Sequence, residues 1–227
     1  MALQASRETM VPVMNNIIDL GRVPYETGYR EQLLVHSRRS RDLVPDTLIL
    51  LENNHVITAG KSASEKNLLV SREYLEKISV DFFKVERGGD YTYHGPGQLA
   101  GYPVLRLPGG LAGLREFVRK LETCLVIVLD EFGIRAEGSG ETDKKKPVGV
   151  WVEGEKIAAL GIAVKKGVTF HGFALNVNTE LAMYDLIIPC GLNDKKVTSM
   201  EKVLGERVSM EDVKKSAAEA FNRVFRD

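Results

Sequence analysis

Val148-Gly149-Val150-Trp151-Val152-Glu153-Gly154-Glu155-Lys156-Ile157-Ala158-Ala159-Leu160-Gly161-Ile162-Ala163-Val164 is the stretch on which the fold turns. Two apolar runs flank Glu153-Gly154-Glu155, a short polar turn signal built around a glycine. That pattern predicts a hairpin with strands Val148–Val152 and Lys156–Val164. Val168–Asn178 continues as a third strand after another short break. Strands joined by tight turns pair antiparallel, whereas parallel neighbours need a long crossover. The expectation is therefore an α+β chain, a mixed or antiparallel sheet packed by helices, and not a parallel doubly wound sheet.

Outward from the hairpin, the other elements fit that class. Asn16–Leu20 reads as a short strand and Pro24–Arg41 as a helix with proline near its start. Thr47–Glu52 is a buried strand, Arg72–Ile78 a short helix and Phe82–Glu86 a strand. Leu99–Leu107 is extended and broken by Pro103. In Leu114–Phe132, the residues Leu114, Phe117, Leu121, Leu125, Val128 and Phe132 recur every three or four positions, which marks an amphipathic helix stopped by Gly133. Ser209–Phe225 closes the chain as a helix capped by Ser209, with Val213, Ala217, Ala220 and Val224 inward. The polar, lysine-rich Gly138–Pro147 segment reads as an exposed loop.

The 227 residues suffice for one domain with a full core. Hydrophobic residues make up 44% and charged residues 27%, with 31 basic against 31 acidic side chains. The balance gives no electrostatic footing for nucleic acid as a partner. The longest aliphatic runs, such as Leu125–Leu129, are far too short to span a bilayer. Met1–Val11 shows no basic-then-apolar signal pattern. Two cysteines, Cys124 and Cys190, are too few for a secreted disulfide framework. The expected location is the cytoplasm, or an organelle with the targeting segment absent.

Four stretches carry chemistry. Arg87-Gly88-Gly89-Asp90-Tyr91-Thr92-Tyr93-His94-Gly95-Pro96-Gly97-Gln98 combines glycines, which let another group approach the backbone, with an arginine, aromatics and a histidine. It reads as a rigid loop lining a substrate pocket. It lacks the G-x-G-x-x-G spacing of a dinucleotide site. Gly60-Lys61-Ser62 is no P-loop either, because the required upstream glycine falls at His55. In Lys156-Ile157-Ala158-Ala159-Leu160-Gly161 a lysine opens an apolar strand, and desolvation there would lower its pKa toward values useful for proton transfer. Thr169–Asn178 alternates small and large residues around His171, a reserve base. In Ile187-Ile188-Pro189-Cys190-Gly191, an apolar run delivers a thiol between proline and glycine. Cys124, by contrast, belongs to the apolar face of a regular helix. No zinc pattern joins His94, His171 and Cys190.

In this order, these stretches resemble the lipoyl(octanoyl) transferase family, itself similar in fold to biotin and lipoate protein ligases. The match runs from about Thr47 to Ser199 and is densest at Arg87–Pro103, Lys156–Gly161, His171–Asn178 and Pro189–Gly191. The resemblance implies one catalytic domain over residues 1–227, with no cofactor and no metal. It implies transfer of octanoyl from octanoyl-acyl carrier protein to a lysine of a lipoyl domain, the first step of protein lipoylation. The acceptors would be the lipoyl domains of 2-oxoacid dehydrogenases and the glycine cleavage H protein.

Site roles follow from the same resemblance. Cys190 would carry the acyl thioester, and Lys156 would lower its pKa and shuttle protons. Arg87, Gly88, Gly89, Asp90, Tyr91, Thr92, Tyr93 and His94 would line the acyl pocket, with Ala159, Leu160, Gly161, Gly172, Phe173 and Ala174. Residue chemistry agrees, since a free thiol with a pKa of about 8.5 is mostly protonated at neutral pH and needs a base. Two other readings keep the fold: an ATP-dependent lipoate or biotin ligase, and a non-catalytic acyl-binding module.

Overall fold

The computed structural model describes residues 16–139, 147–188 and 197–225. In chain order the elements are β1 (Asn16–Val23), α1 (Tyr25–Arg39), β2 (Thr47–Asn53), β3 (Val56–Ala59), α2 (Arg72–Lys77), β4 (Asp81–Lys84), β5 (Tyr91–His94) and β6 (Gln98–Val104). They continue with α3 (Leu114–Glu131), β7 (Glu137–Gly138), β8 (Gly149–Val152), β9 (Glu155–Lys165), β10 (Val168–Asn176), α4 (Met200–Leu204) and α5 (Met210–Val224). Seven strands form the main sheet in the order β1-β2-β6-β10-β9-β8-β7, and β4-β3-β5 form a smaller one. β1 pairs parallel to β2, and every other neighbour in the main sheet is antiparallel. The class is mixed α+β, as the hairpins predict.

Both turns of the β8-β9-β10 meander use left-handed backbone. Glu153 and Gly154 sit at φ 49° and 83°, Lys166 and Gly167 at 54° and 70°. Paired positive φ values match the twist of the flanking strands, and a glycine at the second position makes each turn cheap. Ser209 Oγ accepts the Asp212 N–H at 3.3 Å and caps α5 as its sequence suggests.

The main sheet is covered on both faces. Leu48 and Leu50 of β2 join a core with α3 and α5, while Ile49 and Leu51 join another with Val35 of α1. Burial on both sides explains why β2 is an unbroken aliphatic run and not an alternating one. Cys124 lies in the first core, 5% exposed, with burial pushing its thiol up to about 12. That is a packing role, as its helical stripe indicates. The small sheet keeps its own core around Ile57, Leu75, Tyr93 and Tyr184.

Pro103 does not break β6, contrary to the sequence reading. Its carbonyl accepts Thr169 Oγ1 at 2.7 Å on the β10 side, where the ladder has already ended at Phe173↔Gly101. The missing N–H therefore faces no waiting acceptor in the β2 ladder. The strand expected at Phe82–Glu86 is centred slightly earlier, at Asp81–Lys84, and that at Val168–Asn178 ends at Asn176. Among the described residues no helix is long and apolar enough to cross a membrane.

Candidate active site

A cavity opens between the two sheets, with about 770 Å³ of empty space including its mouth. Its floor comes from the pocket faces of β9 and β10, where Ala159, Gly161, Gly172 and Ala174 leave room. Its walls come from Arg87–Gly89 and β5.

The floor depends on a β-bulge. Between β8 and β9, Val150 pairs with Ala158 and the adjacent Trp151 pairs with Lys156, so Ile157 is an extra residue. Ile157 and Ala158 both enter the α3–α5 core. Counting back from Ala159 by strict alternation would put Lys156 on the core side. The inserted residue turns it to the cavity instead, a familiar use of bulges. The Lys156 residue is 9% exposed. Its Nζ donates to the Val148 carbonyl at 3.2 Å and sits 4.9 Å from the Trp151 ring centroid. Gly149 allows this approach, since a Cβ there would lie 3.1 Å from Lys156 Cε and 2.6 Å from the Ala158 carbonyl oxygen.

The glycine loop is held from two sides. Gly60, Lys61 and Ser62 donate their N–H groups to the carbonyls of Asp90, Arg87 and Gly89, and Gly88 donates to Ile162 of β9. The N–H groups of residues 60–62 are thus consumed by the loop, a second reason why this stretch is no phosphate cradle. Arg87 is buried and anchors to β3: its Nη2 donates to the Thr58 carbonyl at 2.7 Å and Nε to Thr58 Oγ1 at 3.2 Å.

Arg87 also shapes the titration of the cavity. Burial first, and the Arg87 charge second, hold His94 and His171 down to about 4. Both imidazoles are therefore neutral at pH 7. Burial likewise raises the phenol of Tyr102 to about 12 and pushes that of Tyr25 up. His171 sits at φ 56° with Nε2 3.7 Å from Glu86 Oε2, and its ring stacks on Tyr29. So weak a base is a poor acceptor for a thiol proton.

All the residues expected at the pocket line it except Asp90 and Tyr93. Asp90 turns back into its own loop, where its carboxylate accepts the N–H groups of Tyr91 and Ser64 and the Asn67 side-chain amide. Tyr93 points to the opposite face of β5, with its hydroxyl 2.8 Å from His55 Nδ1 and its ring edge-on to Tyr184. Cys190 lies outside the described residues, with its neighbours Pro189 and Gly191, as does most of the lysine-rich Gly138–Pro147 segment. The chain on either side of 189–196 is placed. Ile188 donates to the Asn67 carbonyl at 2.8 Å. Val197 bridges to Lys156 and lines the cavity, and Thr198 donates to the Lys156 carbonyl at 2.9 Å.

The sequence reading missed Tyr25, Tyr102, Asn176, Tyr184 and Val197, which also line the cavity. Asn176 lay inside a stretch already singled out, but the tyrosines carry no local signal. Among the described residues no group of three or more His, Cys, Asp or Glu side chains is placed to hold a metal ion.

Residues 24–222 match the family model of the lipoyl protein ligase A/B catalytic domain. A protein of Dictyoglomus thermophilum named octanoyltransferase is 50% identical over 204 residues, 90% of this chain and 84% of its own. One of the same name from Caldicellulosiruptor saccharolyticus is 46% identical over 211 residues, 92% and 88% of the two chains. Among solved structures, a lipoate-protein ligase A bound with ATP superposes with a TM-score of 0.74 at 18% identity, covering 93% of this chain and 85% of that one. At that identity the likeness speaks for the fold alone.

Proposed function

We propose, from the premise that this chain belongs to the lipoyl protein ligase A/B catalytic family and is an acyltransferase, that it moves octanoyl from octanoyl-acyl carrier protein to a lysine of a lipoyl domain. The acyl group travels on Cys190, and the acceptors are lipoyl domains of 2-oxoacid dehydrogenases and the glycine cleavage H protein. The observation that carries the reading is the bulge that sends Lys156 into a cavity floored by small residues. A second observation supports it: the chain leaving the 189–196 stretch returns onto Lys156 through Val197 and Thr198.

In the first half-reaction Lys156 takes the Cys190 proton. The thiolate attacks the acyl carbon, a new C–S bond forms, and the C–S bond to the carrier breaks. The carrier thiolate leaves and recovers that proton. One thioester replaces another, so the exchange is nearly balanced and needs no ATP. In the second half-reaction the acceptor amine attacks, a C–N bond forms, and the C–S bond to Cys190 breaks. The surplus amine proton passes to Lys156 and on to the sulfur, so one base serves both halves.

The test is a transfer assay on purified protein. Octanoyl-acyl carrier protein and a lipoyl domain, without ATP, should yield the octanoylated domain. Product formed only from free octanoate and ATP would overturn the reading in favour of a ligase.

A further inference from the structure

Two backbone carbonyls fix the proton on a histidine that neither of them touches. The Thr198 carbonyl accepts from the Asn176 amide nitrogen at 3.0 Å, so Asn176 must turn Oδ1 the other way. That oxygen lies 2.9 Å from the Gln98 amide nitrogen, which also donates to the Tyr93 carbonyl at 3.2 Å. Gln98 is thereby fixed with Oε1 toward His94, 2.8 Å from Nδ1. An amide oxygen only accepts, so Nδ1 must carry the hydrogen. In a neutral imidazole the other nitrogen, Nε2, is then a bare lone pair.

The residue lines the cavity, and among the described residues no hydrogen-bond partner meets Nε2. Neutrality holds throughout the physiological range, because burial and the Arg87 charge keep the ring's pKa at about 4. The cavity therefore contains an acceptor with a fixed direction and little basicity. The acyl chain has nothing to donate to it. The group that the reaction brings in with N–H bonds to offer at the reacting centre is the acceptor amine.

We propose that His94 presents Nε2 as a fixed hydrogen-bond acceptor for the incoming lysine amine. The proposal rests on the acyl-transfer reading above. As the C–N bond forms, the nitrogen gains positive charge and its N–H donates more strongly, so the contact tightens in the transition state. His94 does not remove the proton; that proton passes to Lys156 while the C–S bond breaks. The Thr198–Asn176–Gln98 relay costs no reorganisation during the step, because every member is already hydrogen-bonded.

Two measurements on the full chain test this. The first is a long-range nitrogen–proton NMR spectrum of wild-type protein labelled at its four histidines, with His94 assigned by its absence in His94→Asn. The proposal expects the Nδ1–H tautomer, unchanged between about pH 8 and about pH 6; an Nε2–H tautomer overturns it. The second separates the half-reactions in single turnovers. Asn keeps an N–H for Gln98 but lacks the acceptor at the Nε2 position. Aminolysis of the acyl-enzyme should fall about 10- to 100-fold more than acyl loading, the size of a hydrogen bond to a charged group. Equal losses in both steps, or a larger loss in loading, overturn the proposal. Failure of the wild type to load at all instead overturns the acyl-transfer reading, and the amine falls with it, while the tautomer still reports on His94 alone.

Discussion

One face of β9 and β10 gives Ile157, Ala158 and Leu175 to the core beneath α3 and α5; the other gives Lys156, Ala159, Gly161 and Ala174 to the cavity. On the first face large and small side chains pack into one buried cluster. On the second, small residues clear a floor and polar groups stand at its margins. The two faces are the same two strands, separated by one backbone thickness and by one inserted residue at Ile157. Stability is therefore concentrated on one face and chemistry on the other, and substitutions should sort accordingly.

Lys156→Met should produce the largest separation. It should cut octanoyl transfer by about 10²- to 10⁴-fold, the usual size of a general acid–base contribution, while the thermal midpoint changes little. Steady-state kinetics beside a melting curve checks this; a parallel collapse of fold and activity would break the distinction between the faces. Leu175→Ala should do the reverse. Leu175 is fully buried, so the truncation should cost about 2–5 kcal/mol, read as a lower denaturant midpoint, with the protein that remains folded turning over normally.

The smallest effect concerns pH. His171, on the cavity side, is held at about 4 against an ordinary value of 6.5 by burial and the Arg87 charge. Between those values the unfolded chain binds the proton more readily. Stability from this group is thus complete above about 6.5 and is lost as pH falls toward about 4. His171→Asn tolerates the left-handed backbone at φ 56°. It should flatten part of the acid-side fall in thermal midpoint seen for wild type; an unchanged slope would show that His171 does not contribute.

The sequence made the helices and hairpins legible because each carries a local signal. Glu153-Gly154 sets a turn, the apolar spacing from Leu114 sets α3, and Ser209 sets the start of α5. β3 was not legible: four residues, Val56–Ala59, give no periodicity to read. β5 was hidden between glycines and taken as part of a loop, yet it builds one wall of the cavity. The motifs pointed to stretches of β9 and β10 that line the cavity. They gave no sign of the bulge, which appears only in the pairing with β8. Nor did they show that Gln98, Asn176 and Tyr184 form one network, since Gln98 meets the other two across 78 and 86 residues of chain. Asp90 and Tyr93 were placed with their neighbours because a run of residues does not reveal which face each one takes.

In the proposed mechanism the octanoyl group rides on Cys190, with Lys156 as its base. Intact-mass analysis after mixing the protein with octanoyl-acyl carrier protein tests it most directly. The expected result is an octanoyl adduct on the wild type, mapped to Cys190 and released by hydroxylamine as a thioester is, and its loss in Cys190→Ser. An unmodified wild-type mass, or a thioester adduct that persists in Cys190→Ser, would contradict it.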